Sequence, residues 1–167
     1  MVYPIFLFSL VGSNNLMHIF TMDRGPAYGG NIPLGDANHN GKGEIYLIWI
    51  PDSGYAGFSI WEAEDTLYNH ILDYRYGDWT APFAVGDLDG DTLTDMIAGW
   101  GAFGVFESPS YDSFPLESVW ADTTDPQPNP WDVYITDLDQ DGKKEIFLRA
   151  RSDLSTRIYE CTGDNEY

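Results

Sequence analysis

The stretch GDLDGDTLTD, Gly86 to Asp95, places Asp87, Asp89, Asp91 and Asp95 within nine residues. Four carboxylates this close repel one another, and the 167-residue chain already carries a formal net charge of -19. The concentration recurs: GDANHNGKGEI begins at Gly35 and TDLDQDGKKEI at Thr136. Ten of the 27 acidic residues lie in these three loops, namely Asp36, Glu44, Asp87, Asp89, Asp91, Asp95, Asp137, Asp139, Asp141 and Glu145. Acid gathered so locally has a purpose beyond solvating the surface. With only 8 basic residues in the chain, nucleic acid is excluded as a partner and no membrane insertion is expected, whereas cations are favoured.

The loops are periodic. Their first acids, Asp36, Asp87 and Asp137, stand 51 and 50 residues apart, and similar segments follow each loop: EIYLIWI from Glu44, DMIAGWG from Asp95 and EIFLRAR from Glu145. Trp49 and Trp100 each fall 13 positions after the first acid, which suits a repeated core position. Between the loops run short segments rich in aromatic and β-branched residues, punctuated by Gly, Pro, Asn and Asp. They predict strands near Ile32–Leu34, Ile45–Ile50, Gly57–Glu62 and Tyr68–Tyr74, then Phe83–Val85, Asp95–Ala98, Gly104–Glu107 and Glu117–Ala121. A third set covers Val133–Thr136, Glu145–Arg149 and Arg157–Glu160. Ile5–Leu10 and Met17–Met22 read as the last strands of a preceding unit. Met1–Val11 reads as strand, since it lacks the basic residues and small-x-small site of a signal peptide. DTTDPQPNP, Asp122 to Pro130, reads as a surface loop. No segment sustains a 3.6-residue apolar period.

Four strands per unit of about 50 residues predict an all-β chain of antiparallel blades, an incomplete β-propeller of about three blades. The expected units are 1–30, 31–81, 82–130 and 131–167. Because a single four-stranded sheet cannot bury both its faces, stacking on neighbours is expected.

The loop pattern is D-x-[DN]-x-[DN]-G-x-x-[DE], which suits calcium, a hard cation taking six to eight oxygen ligands. Positions 1, 3, 5 and 9 offer side-chain oxygens and position 7 a carbonyl. Asp137, Asp139, Asp141, Lys143 and Glu145 fill it completely; Asp36, Asn38, Asn40, Lys42 and Glu44 fill it with two amides. Asp87, Asp89, Asp91, Leu93 and Asp95 fill it with Thr92 where glycine should stand. An EF-hand needs a carboxylate at position 12, where this chain has Leu47, Ala98 and Leu148. Asp, Asn and Gly also make ordinary turns, but three copies at one period argue for up to three calcium ions.

On GDANHNGKGE, VGDLDGDTLTDMIAGWGAFG and TDLDQDGKKE, the chain resembles the FG-GAP (integrin-α-like, VCBS-type) repeat family over roughly Ile32 to Cys161. The resemblance implies blades with a calcium loop between their first and second strands. It further implies a non-catalytic, secreted or cell-surface module that binds a protein or glycan. Two other readings stand beside it: the propeller part of a carbohydrate-active, lyase-like enzyme, and a purely structural repeat segment. His18, His39 and His70 occupy unrelated repeat positions and are expected to be surface or satisfied imidazoles, with His39 facing solvent. The lone Cys161 excludes an intrachain disulfide and thiolate-based zinc. Calcium loops of this kind work near millimolar calcium, hence an extracellular expectation. Three blades do not close a ring, so self-association or a longer chain is expected.

Overall fold

The computed structural model describes residues 32–49, 56–76, 80–100, 103–123 and 128–167; the expected strands Ile5–Leu10 and Met17–Met22, the first unit and His18 lie outside them. Among the described residues the chain is all-β, with no helix. Eleven strands form three antiparallel meanders. The first sheet is β1 (Leu34–Gly35), β2 (Glu44–Trp49), β3 (Gly57–Glu64) and β4 (Leu67–Tyr74). The second is β5 (Thr80–Gly86), β6 (Asp95–Trp100), β7 (Gly104–Glu107) and β8 (Glu117–Ala121). The third is β9 (Pro130–Thr136), β10 (Glu145–Ala150) and β11 (Thr156–Glu160). In each sheet the strands lie in sequence order, and the acidic loop joins the first strand to the second.

The alternation of side chains across a strand decides how the sheets stack. In the first sheet Tyr46, Phe58 and Ile60 share one face and meet Met96, Ala98 and Phe106 of the second. The opposite face of the second sheet, with Ile97 and Val105, meets Val133, Ile146 and Leu148 of the third. The same face of each sheet therefore covers the other face of the next. Apolar residues on both faces of the central sheet explain why Asp95–Ala98 reads as a continuous apolar run after its acid. The odd members of the pattern have local causes. Pro82, which has no N–H to donate, sits at a bulge in the edge strand β5. Gly57 and Gly104 open the third strands of the first two sheets where a Cβ would stand 2.2 Å from the Tyr74 carbonyl oxygen and 2.4 Å from that of Trp120.

The third sheet has nothing described over its corresponding face. Ile60, paired with Tyr46, is 0% exposed, whereas Ile158, paired with Phe147 at the same place in the repeat, is 55% exposed. Position 2 of the acidic loops follows the same rule: Ala37 and Leu88 are 1% exposed, Leu138 60%. Chemically alike side chains therefore differ in energetic weight. Ile60→Ala is expected to destabilise the fold by about 2–5 kcal/mol, and Ile158→Ala by about 0.5 kcal/mol or less. Urea denaturation of both variants checks this; equal losses would show that the two faces are buried alike.

Candidate metal sites

The three acidic loops share one backbone path. Positions 4 and 6 have positive φ in every copy: His39 and Gly41 at 51° and 82°, Gly90 and Thr92 at 86° and 79°, Gln140 and Gly142 at 65° and 95°. Glycine takes such angles freely. A β-branched residue does not, so Thr92 is held in a strained conformation by the rest of its loop. Glycine therefore sits at position 6 in the outer loops and at position 4 in the central one.

The same hydrogen bonds recur in each loop. The position-5 amide donates to the position-3 side chain: Asn40 to Asn38, Asp91 to Asp89 and Asp141 to Asp139, at 3.2, 3.2 and 3.1 Å. The position-7 amides of Lys42, Leu93 and Lys143 donate to Asn40, Asp91 and Asp141, at 2.8, 2.7 and 2.9 Å. Gly41 and Gly142 donate to Asp36 and Asp137 at 3.0 and 3.1 Å, while Asp87 takes the Gly90 amide at 2.7 Å. Each Asx turn thus directs one oxygen of a side chain to the backbone and leaves the other atom of that group for something else.

Position 9 opens the second strand of each sheet and is buried: Glu44, Asp95 and Glu145 are 1%, 0% and 5% exposed. One carboxylate oxygen accepts the position-2 amide, from Ala37, Leu88 or Leu138, at 2.7 Å in all three loops. The other oxygen is buried without a hydrogen-bond partner in all three, as is Asp137 Oδ1. A buried carboxylate oxygen left unpaired is costly. Burial accordingly pushes Glu44 up from 4.5 to about 7 and Asp95 up from 3.8 to about 8. A divalent cation would satisfy those oxygens, and the residues present fit one. Carboxylate oxygens of Asp137, Asp139, Asp141 and Glu145 lie within 4.8 Å of one another, and so do those of Asp87, Asp89 and Asp95.

The first loop differs. The Oδ1 atoms of Asn38 and Asn40 accept backbone amides, and their Nδ2 atoms donate to Glu62 Oε2 at 3.3 and 2.5 Å. Turning either amide round would set oxygen against carboxylate and N–H against N–H, so the orientation is fixed from both sides. Lys42 Nζ reaches Glu62 at 3.2 Å and Glu64 at 3.6 Å. Of the first loop's expected ligands, Asp36 and Glu44 keep carboxylates to offer, while Asn38 and Asn40 turn amide nitrogens towards Glu62.

Glu62 was not among the expected residues, and it has counterparts. Directly across from position 9 stand Glu62 on β3, Glu107 on β7 and Glu160 on β11. A signal for them exists: each follows an aromatic residue, in Trp61-Glu62, Phe106-Glu107 and Tyr159-Glu160. Lys143 Nζ meets Glu160 at 2.6 Å, matching Lys42 and Glu62. At position 7 of the central loop Leu93 has no ammonium to offer. Position 8 ties the loops together: Thr94 Oγ1 donates to the Ala37 carbonyl at 3.1 Å, and Lys144 Nζ to that of Asp87.

The remaining singled-out residues find structural places. His39 is exposed, as expected, but its ring stacks on Tyr111 at 3.9 Å with Nδ1 2.6 Å from the Tyr111 carbonyl oxygen. Because the loop aims position 4 outward against the neighbouring sheet, the imidazole does not simply face solvent. His70 Nε2 lies 2.8 Å from Asp73. Cys161 is buried, which pushes its thiol pKa up, and Sγ lies 3.4 Å from the Gly163 carbonyl oxygen. Trp49 is half-buried; the Trp100 side chain lies outside the described residues.

No protein-family model matches the chain, and no curated protein or solved structure matches it.

The raised carboxyls give the metal-free protein a characteristic pH dependence. Folding holds Glu44 and Asp95 above their ordinary values, so the native state binds more protons than the unfolded chain between about pH 4 and 8. The sign is that stability is greatest near the unfolded pKa and falls as pH rises through about 7 and 8. In chelator the melting temperature is expected to be lower at pH 8.5 than at pH 5.5 by several degrees, about 2–4 °C per kcal/mol lost. Asp95→Asn should flatten the upper part of the curve. A melting temperature that rises with pH would show that these carboxyls ionise without penalty.

Proposed function

We propose that the chain is a calcium-binding segment of an FG-GAP-like β-propeller, a non-catalytic module of a secreted or cell-surface protein that binds a protein or glycan. One observation carries the calcium reading. Three loops of the same backbone place a buried position-9 carboxylate with one oxygen on the position-2 amide and the other unpaired. Calcium accepts oxygen ligands of this kind in flexible geometry, and affinity follows carboxylate number. The carboxylate counts at positions 1, 3, 5 and 9 are two, four and four, so the Asp87 and Asp137 loops hold calcium more tightly than the Asp36 loop. The stack of meanders, each with its loop at the same corner, supports the propeller reading. Calcium loops of this kind fit an extracellular setting, where calcium is near millimolar.

Calorimetric titration of chelated protein with calcium is expected to show binding, together with a higher melting temperature by mass action. Asp137→Asn with Asp141→Asn should remove one site. No heat and an unchanged melting temperature would reduce the loops to turns.

Propellers close with four to eight blades, and the described residues supply three sheets. We place a further sheet, from a longer chain or a second copy, over Leu138, Tyr134 and Ile158, which are 60%, 50% and 55% exposed. The twice-repeated packing of one sheet face on the next supports that placement. Light scattering of the calcium-loaded chain is expected to find a dimer or larger species, shifted towards monomer by Leu138→Asp with Tyr134→Asp. A compact wild-type monomer of 18.8 kDa would exclude pairing through this face.

A further inference from the structure

The turn after β11 reaches across to the central acidic loop of the neighbouring sheet. Its backbone folds on itself, Thr162 N–H donating to the Glu166 carbonyl at 2.8 Å and Glu166 N–H to that of Gly163 at 3.0 Å. Asn165, at φ 56°, then faces the second sheet. Its backbone amide donates to Asp89 Oδ2 at 3.0 Å, and its Nδ2 donates to Glu107 Oε2 at 3.1 Å. Tyr167 packs edge-on against Trp120 of β8, with ring centroids 5.5 Å apart. Next to Asn165, the Asp164 carboxylate comes within 4.8 Å of those of Asp89 and Glu107.

This approach runs against simple electrostatics. Asp87, Asp89, Asp91 and Asp95 already crowd the loop, and Glu107 and Asp164 bring the carboxylates to six. Where the outer loops have Lys42 and Lys143 against the third-strand glutamate, this loop has Leu93. Lys144 approaches it, but its ammonium meets the Asp87 carbonyl. A turn that adds negative charge to such a patch is held to the second sheet by the two hydrogen bonds of Asn165 and by Tyr167, which packs on Trp120 and the apolar core beside it. Independently of that patch, Asp95, whose carboxylate groups with those of Asp87 and Asp89, is 0% exposed, and its Oδ1 is buried without a partner. That oxygen asks for a cation at the point from which Asp89 links the loop to the turn.

We infer that the turn Thr162–Tyr167 is a calcium-dependent clasp: a cation in the Asp87–Asp95 loop offsets the repulsion of Asp89, Glu107 and Asp164, and so locks the third sheet's turn onto the second sheet. The inference rests on the calcium reading above and deepens it, since it adds Asp164 and Glu107 to that site as acids from outside the loop. Coupling is reciprocal, so whatever weakens the docked turn weakens calcium binding at this loop and not at the Asp137 loop.

Hydrogen–deuterium exchange of the full chain across a calcium titration tests this loop by loop. Calcium is expected to slow exchange in 162–167 with the same midpoint as in 87–95. Asp164→Asn lowers the negative charge of the site by one. It also removes one acid oxygen that the cation would draw in, and the second effect dominates once the cation is bound. That variant is expected to move both midpoints to about tenfold higher calcium, within the range of ordinary coupling energies, while 137–145 keeps its own. Asn165→Gly keeps the left-handed backbone, removes the bond to Glu107 and should shift the same two midpoints in the same direction. A response in 87–95 with none in 162–167, or midpoints unmoved in both variants, would overturn the clasp and leave the calcium site standing. No response in 87–95 of the wild type at any calcium concentration would overturn the calcium reading at this loop and the clasp with it.

Discussion

Everything about these loops turns on the carboxylate that begins each second strand. It is carried into the protein by the strand that it starts, because the residues that follow, Ile45 and Tyr46, Met96 and Ile97, and Ile146, are buried in the apolar clusters. Once there, it can satisfy only one oxygen from the protein, the position-2 amide seven residues back. That bond closes the loop and sets its positive-φ positions, including the strained Thr92. The same geometry leaves the second oxygen in need of a partner that the backbone does not supply. A fold that buries the carboxylate for packing therefore leaves an unpaired oxygen that a cation would satisfy.

Stacking extends this constraint from loop to loop. The position-2 residue that donates to the carboxylate also inserts its side chain into the next interface, as Ala37 and Leu88 do. The loop backbone is therefore tied to the neighbouring sheet as well as to its own. Thr94 and Lys144 add a polar link from each loop to a carbonyl of the one before. The acidic loops and the sheet packing thereby share residues, and repulsion among the acids of one loop loads the interface beside it.

Much of the architecture was legible in the sequence because it is periodic. The spacing of Asp36, Asp87 and Asp137 located the loops, and the aromatic and β-branched runs located the strands, which among the described residues the structure finds within a few residues of their expected bounds. The third-strand glutamates escaped the same reading. Their distance from position 9 is 18, 12 and 15 residues, because the turn between second and third strands changes length from unit to unit. Constant period reveals what is set by the repeat; it hides what is set by register across a variable turn. The amide orientations of Asn38 and Asn40 were hidden too, since only the position of Glu62 decides them. Likewise nothing in the sequence joins Asp89 to Asn165, which lie 76 residues apart and meet through the stacking of two sheets.

The glutamates also explain why near-identical loops are not equivalent. In the outer loops a position-7 lysine meets the third-strand glutamate, so each of those acids has an ammonium within its own unit. Exposed pairs of this kind contribute little to stability, yet they settle local charge, and in the first loop the same glutamate also occupies both amides. The central loop has Leu93 at that position and keeps four loop carboxylates, so neither device is open to Glu107. What approaches Glu107 instead is Asn165, from a turn of the next sheet. With leucine where the outer loops have lysine, Glu107 is left with a neutral amide from the neighbouring sheet and no ammonium from its own loop, and the central loop becomes the point where uncompensated charge and sheet stacking meet.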